Sequence, residues 1–179
     1  MAPDLSHDIE VVRTHLELPS RAALRPAAEP GDAATLEPAG AMAPDRYLQL
    51  YTTIGNRWHW TDRLRWSPDE LDAYLRSDTT HIWMLRVGDV DAGYFELRRH
   101  EEGHVEVMYF GLVERFFGQG LGGWMLTRAV EESFALGASR VILNTCTLDA
   151  PGALPNYLAR GFRIVREERY VTEIPGLHP

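Results

Sequence analysis

Four glycines fall within six residues, at positions 118, 120, 122 and 123, directly after a strand-like stretch and directly before a helix-like one. The upstream stretch, Val105 to Leu112 (VEVMYFGL), alternates and then runs apolar as strands do, and Glu114 and Arg115 make a short charged bend. Downstream, Leu121, Met125, Leu126, Ala129 and Val130 recur at helical spacing, and Gly137 is placed to end that helix. Strand, glycine loop and helix make an anion-binding layout. Glycines let the backbone approach a ligand closely, and the first helical amides, lacking partners within the helix, aim their N–H groups and the positive end of the dipole at it. A phosphate-bearing cofactor suits such a loop.

Arg115, Gly118 and Gly120 spell R-x-x-G-x-G, and Asn156-Tyr157-Leu158-Ala159-Arg160-Gly161-Phe162 follows after one helix and one strand. In that order the two stretches resemble the acyl-CoA signature and the Y-x-x-x-G-F ending of the GCN5-related N-acetyltransferases, with a likeness over roughly residues 79 to 172. The resemblance implies one α/β domain, with a mixed, mostly antiparallel sheet of six or seven strands and helices on both faces. It implies acetyl-CoA as the cofactor and a primary amine of a small molecule or peptide as the acceptor. The alternative is a non-catalytic acyl-CoA-binding or regulatory module of the same fold. Gly118, Gly120 and Gly123 also satisfy G-x-G-x-x-G, a dinucleotide fingerprint, but that motif needs an acidic residue ending the next strand. Here Arg140 to Thr147 ends in Asn144, Thr145 and Cys146, which favours the acyl-CoA reading.

The length of 179 residues suits one domain spanning residues 1–179. No apolar run is long enough to span a bilayer, and MAPDLSHDIE lacks the basic start and hydrophobic block of a signal peptide, so a cytoplasmic protein without membrane contact is expected. A net charge of -8 argues against nucleic acid and mildly favours a cationic substrate. All 18 basic residues are arginine, which excludes a lysine-dependent phosphate loop. Cys146, the single cysteine, cannot form an internal disulfide and reads as a small buried hydrophobe. A homodimer is left open.

Residues 9 to 18 alternate as a first strand with Val12, Thr14, Leu16 and Leu18 on one side. Residues 20–43, rich in alanine and proline, read as an irregular surface segment. Pro44 to Ile54 is spaced as a helix, and Ser67-Pro68-Asp69-Glu70 is a capping box opening a second. Three strands follow, 81–87, 90–99 and 104–112, joined by tight turns. The second turn contains His100-Glu101-Glu102-Gly103-His104, an H-E-x-x-H string. Metalloprotease chemistry needs those histidines on one helical face, whereas strand-like text flanks them here, so a hairpin tip and no metal are expected. After the long helix and its strand, Pro151 to Arg160 reads as a short helix interrupted by Pro155, and Phe162 to Ile174 as one or two strands.

What the resemblance implies about individual residues is as follows. Backbone near Phe110, Gly111 and Leu112 would hold the thioester, while Arg115 and the loop of Phe117, Gly118, Gln119, Gly120, Leu121, Gly122 and Gly123 would take the pyrophosphate. Many relatives carry an asparagine six or seven residues before the tyrosine; Asp149 and Ala150 stand there, with Asn156 or Asn144 as substitutes. Glu106 matches the family's catalytic glutamate, and strand alternation places it with Met108 and Phe110 among apolar neighbours. Tyr157 matches the tyrosine that protonates the leaving thiolate. Tyr51, Trp58, Trp60 and Asp62, in and before the tryptophan-rich residues 56–66, would grip the amine through ring faces and a counter-charge. Glu96 joins Glu106 on one face if the hairpin loop has three residues ending in a left-handed Gly103, and lies on the opposite face if the turn has two.

Overall fold

The middle of the sheet follows from its turns. Gly88 and Gly103, both with positive φ (58° and 84°), let strands of branched and aromatic residues fold back on one another. The computed structural model describes residues 7–31 and 33–174. In chain order the elements are β1 (His7–Leu18), β2 (Ala34–Pro38), α1 (Pro44–Gly55), α2 (Pro68–Leu75), β3 (Thr80–Val87) and β4 (Val90–Arg99). Then come β5 (Val105–Leu112), α3 (Leu121–Ala135), β6 (Val141–Cys146), α4 (Ala153–Ala159) and β7 (Arg163–Ile174). Among the described residues these strands form one seven-stranded sheet in the order β2-β3-β4-β5-β6-β1-β7. Neighbours are antiparallel except β5 and β6.

Two apolar layers cover the sheet. On one face, Leu121, Met125, Leu126, Ala129 and Val130 of α3 bury their helical stripe against Phe95, Leu97, Val105, Val107, Leu16 and Leu143. Helix α3 ends in a Schellman turn, with Gly137 (φ 87°) donating to Phe134 and Ala138 to Ser133. On the other face, Tyr47, Tyr51 and Ile54 of α1 and Leu71 and Leu75 of α2 pack on Ile82, Met84 and Tyr94. The capping box is formed: Ser67 Oγ accepts from the Glu70 amide at 3.2 Å and the Glu70 carboxylate from the Ser67 amide at 2.7 Å.

Several expectations need correction. Residues 20–43 are not wholly irregular. They hold a 3-10 turn at Arg21–Ala23 and the edge strand β2, and Arg25 and Ala27 donate to Arg160 O and Thr127 Oγ1, each at 2.9 Å. Val11 rather than Val12 takes the buried place in β1. Pro155 does not interrupt α4, because it sits in the first turn, where a missing N–H costs no helical bond. His100 to His104 forms a hairpin tip, as expected, with a three-residue loop and a left-handed Gly103; Glu96 and Glu106 accordingly share a face. The parallel strands β5 and β6 part after their first residues. β5 pairs with β6 only at Val105/Val141 and Glu106/Ile142, and both strands run on without a common ladder.

Candidate active site

That divergence of β5 from β6 opens a cavity of about 890 Å³ through the sheet, of the size that holds small-molecule ligands. The cleft is bounded by the glycine loop, the turn between β6 and α4, the residues between α1 and α2, the middle of β1 at Arg13 and the end of β7.

At the loop, Gly118 (φ 73°) and Gly120 (φ 76°) adopt the left-handed conformation, and a Cβ on either would meet nothing within 4 Å. Their requirement is conformational, and the space beside them is open to a ligand. Trp124 donates the first helical bond, to Gly120 O, so the amides of Leu121, Gly122 and Gly123 have no partner within α3. Gly118, Gly120, Gly122 and Gly123 line the cleft, as does the half-exposed Phe117 ring. Gly123 has a second reason to be glycine, since a Cβ would lie 2.8 Å from Arg160 and 3.1 Å from Ala27. Arg115 and Gln119 point to solvent outside the cleft, Gln119 Nε2 donating to Arg115 O at 3.0 Å, and the Leu121 side chain is buried in the core. Asn156 reaches back to Gly122 O at 3.1 Å, and with Asn144 it borders the cleft. Asp149 accepts from Thr145 Oγ1 at 2.6 Å and from the Cys146 amide at 3.0 Å, which shapes the turn between β6 and α4. Open backbone of this kind fits a pyrophosphate.

Strand β5 carries a bulge at Met108, because Glu96 pairs with Tyr109 while Leu97 pairs with Val107. The extra residue overturns the simple alternation expected for Glu106. Phe110 and Leu112 turn to the α3 side with Val107, and Tyr109 turns to the opposite side, toward Tyr51 and Trp60. Glu106 is therefore not enclosed by Met108 and Phe110. Its side chain is 19% exposed, lines the cleft, and accepts or shares a hydrogen bond with His100 Nε2 at 2.9 Å.

Tyr157 on α4 is buried beside the cleft, with Phe110 and Phe162 edge-on at 6.2 and 6.1 Å. Burial, with the nearby Asp149 carboxylate, pushes its phenol above the ordinary range, so it stays protonated at neutral pH. Burial and Asp149 push the Cys146 thiol up as well, which leaves it a poor nucleophile.

The acceptor candidates divide. Trp58, Trp60 and Asp62 line the cleft. Trp60 is wedged so closely that a Cβ on Gly55 would lie 2.3 Å from its ring and one on Gly111 would lie 3.1 Å from it. Tyr51 and Glu96 are fully buried and do not line the cleft. Tyr51 accepts from the Arg63 amide and donates to Tyr109 Oη, both at 3.4 Å, and Tyr109 in turn points at Asp62, 3.5 Å away. Glu96 accepts from Tyr47 Oη at 2.6 Å, from Tyr74 Oη, and from Arg63 at 2.9 Å. The Arg63 guanidinium lies over Trp66, Tyr74 and Tyr109 at 4.1, 4.5 and 5.0 Å. Burial alone would lower its pKa, but Glu96 together with Tyr47, Tyr74 and Tyr109 outweighs this and the pKa lies above the ordinary value. Arg63 and Tyr109 escape sequence reasoning because each is identified by a partner distant in the chain. Arg13, Tyr170 and Thr172, on strands from the two ends of the chain, border the cleft for the same reason unannounced.

Residues 47–162 match the model of the acetyltransferase (GNAT) family. No curated protein sequence matches the chain. Among solved structures, a GCN5-related N-acetyltransferase from Kribbella flavida is 17% identical with a TM-score of 0.61; the match covers 93% of this chain but only 59% of that protein. A GNAT family acetyltransferase from Elizabethkingia anophelis, with acetyl-CoA bound, is 21% identical with a TM-score of 0.56, over 75% of this chain and 79% of that one. An aminoglycoside acetyltransferase from an uncultured soil metagenomic sample is 12% identical with a TM-score of 0.60, over 74% and 90%. At these identities the likeness is one of fold.

Proposed function

We propose, from the premise that this chain belongs to the acetyltransferase (GNAT) family, that it transfers an acetyl group from acetyl-CoA to a primary amine of a small molecule or peptide, by direct attack of the amine. The observation that carries this reading is the cleft where β5 leaves β6. Unpaired glycine-loop amides stand at its rim, and carboxylates with aromatic rings line it as well.

Acetyl-CoA, when bound, supplies an acetyl thioester. The amides of Gly118 to Gly123 would bind its pyrophosphate, and the backbone of Phe110 to Leu112, paired with β4 but not with β6, its arm. A cationic amine must lose a proton before it can attack. Glu106 Oε, facing the cleft, takes that proton directly or through water. Tyr157 Oη, protonated at neutral pH, would supply a proton to the leaving thiolate. Trp58, Trp60 and Tyr109 offer ring faces to the ammonium group and Asp62 a counter-charge. The acid-rich composition agrees with a cationic acceptor and with no nucleic acid partner. That a soil protein of the same fold is an aminoglycoside acetyltransferase agrees with a small-molecule amine.

The test is calorimetric titration with acetyl-CoA, CoA and NAD, repeated on Gly120→Glu, followed by thiol-release assays over a panel of amines. CoA-type binding lost in the variant, with release that depends on an amine, is expected. Tyr157→Phe should lower turnover about 10²–10⁴-fold while leaving acetyl-CoA affinity in place. Binding without turnover on any amine would favour the regulatory-module reading, and absence of CoA binding would overturn both.

A further inference from the structure

The hairpin tip between β4 and β5 holds three side chains that the acetyl-transfer reading does not use. His100 and His104 close the loop, their rings stacked with centroids 4.4 Å apart, and Glu102 stands at its exposed apex. One ligand atom from each lies within 4.8 Å of those of the other two. We infer that His100, Glu102 and His104 form a binding site for a zinc-class divalent ion.

Four observations support the site. First, the donor set of two imidazoles and a carboxylate suits zinc and its transition-metal neighbours rather than magnesium or calcium, which take oxygen ligands. Second, the nitrogens are prepared. His100 Nε2 is engaged by Glu106 at 2.9 Å, which leaves Nδ1 for an ion, and a carboxylate on the far nitrogen is the support that metal-bound histidines use. His104 Nδ1 is buried without a hydrogen-bond partner, an unsatisfied donor or acceptor that an ion would satisfy. Third, the tip is preorganised. His100 N donates to His104 O and Gly103 N to His100 O, both at 3.0 Å. Ser139 ties Gly103 O to the body of the protein through its amide at 2.7 Å and its hydroxyl at 2.9 Å. Fourth, the approach needed is small. Bonds of about 2.1 Å in a tetrahedral site put ligand atoms roughly 3.4 Å apart. The spread of up to 4.8 Å thus closes by about 1.4 Å through side-chain rotation, in which the two stacked rings turn so that their in-plane lone pairs converge and the exposed Glu102 swings in. Arg140, a cation that acts on His104, is paired with Glu17 at 3.8 Å.

The string His100 to His104 thus brings its histidines together across a turn, where a metalloprotease would use a helix. Three protein ligands leave the remaining coordination position to water. An ion on His100 Nδ1 also fixes the ring tautomer, so that Nε2 carries its hydrogen toward Glu106.

The experiment is titration of the chelator-treated full chain with Zn²⁺ by calorimetry and with Co²⁺ by visible absorption. One ion per chain is expected, with the intense d–d bands of low-coordinate cobalt. His104→Ala and Glu102→Ala should each weaken binding at least about tenfold, the least that even an outer-shell loss costs. Glu102 is exposed, so its variant keeps the fold; acetyl-CoA titration and thermal melting check the other. No saturable binding, or an ion bound with unchanged affinity in both variants, overturns the site.

Discussion

Replacing Arg63 by methionine should unfold the protein at markedly lower temperature and loosen the end of the cleft lined by Trp58, Trp60 and Asp62. The guanidinium side chain is 5% exposed and its partner Glu96 is fully buried, so solvent screens the pair little. Methionine keeps much of the packing against Trp66 and Tyr74 but leaves the Glu96 carboxylate with tyrosine hydroxyls and no counter-charge. Deleting one partner of a buried pair costs about 3–5 kcal/mol. At about 2–4 °C per kcal/mol for a domain of this size, the melting temperature should fall by roughly 6–20 °C. The double variant Arg63→Met/Glu96→Leu removes both charges and should recover a large part of the loss, because a well-packed apolar pair often matches a buried ion pair. Arg63 also anchors the stretch carrying Trp58, Trp60 and Asp62 to β4. In the single variant KM for the amine should therefore rise while the dissociation constant for acetyl-CoA holds. Calorimetric melting together with amine-saturation kinetics measures both arms. A melting shift under about 3 °C in the single variant would refute the electrostatic argument, and a loss confined to acetyl-CoA affinity would refute the anchoring one.

Gly111→Ala should destabilise by about 1–3 kcal/mol through overpacking, since its Cβ would lie 2.4 Å from Ile54 Cγ2 and 3.1 Å from the Trp60 ring; urea unfolding measures this, and a neutral result would mean that α1 yields without cost. Stability should also fall above about pH 10. Burial raises the phenol pKa of Tyr47, Tyr51, Tyr74, Tyr94, Tyr109 and Tyr157 in the folded state. The unfolded chain then releases protons that the folded chain keeps, so the contribution is complete below the unfolded pKa and is lost as pH rises past it, by up to about 1.4 kcal/mol per pH unit for each tyrosine. Melting temperatures followed from pH 8 to 11.5 should turn downward near the unfolded tyrosine pKa of about 10; a flat profile would contradict the burial of these hydroxyls.

How far the sequence reads depends on the range of the interactions involved. The glycine loop, the capping box at Ser67 and the turn at Gly103 are set by neighbours within a few residues, and the text displays them directly. Strand β2 is different. Its residues, ATLEP, have weak strand preference, and Pro38 suits only an edge. They are extended because β3 offers a free side, which no local pattern records. The bulge at Met108 has the largest functional effect of this kind. One unpaired residue sends Phe110 to the α3 face and Tyr109 toward the tryptophans, and a period-two count through VEVMYFGL cannot register it. The wall of Tyr51, Trp60 and Tyr109 follows from that inserted residue, while Glu106, before the bulge, keeps the face that its pairing with Arg98 gives it. Glu96 shows the converse: its place on the face of Tyr109 follows from the hairpin, while its burial follows from Arg63, 33 residues away in sequence. A carboxylate on the correct face is thereby withdrawn from the cleft and made part of the framework that holds it open.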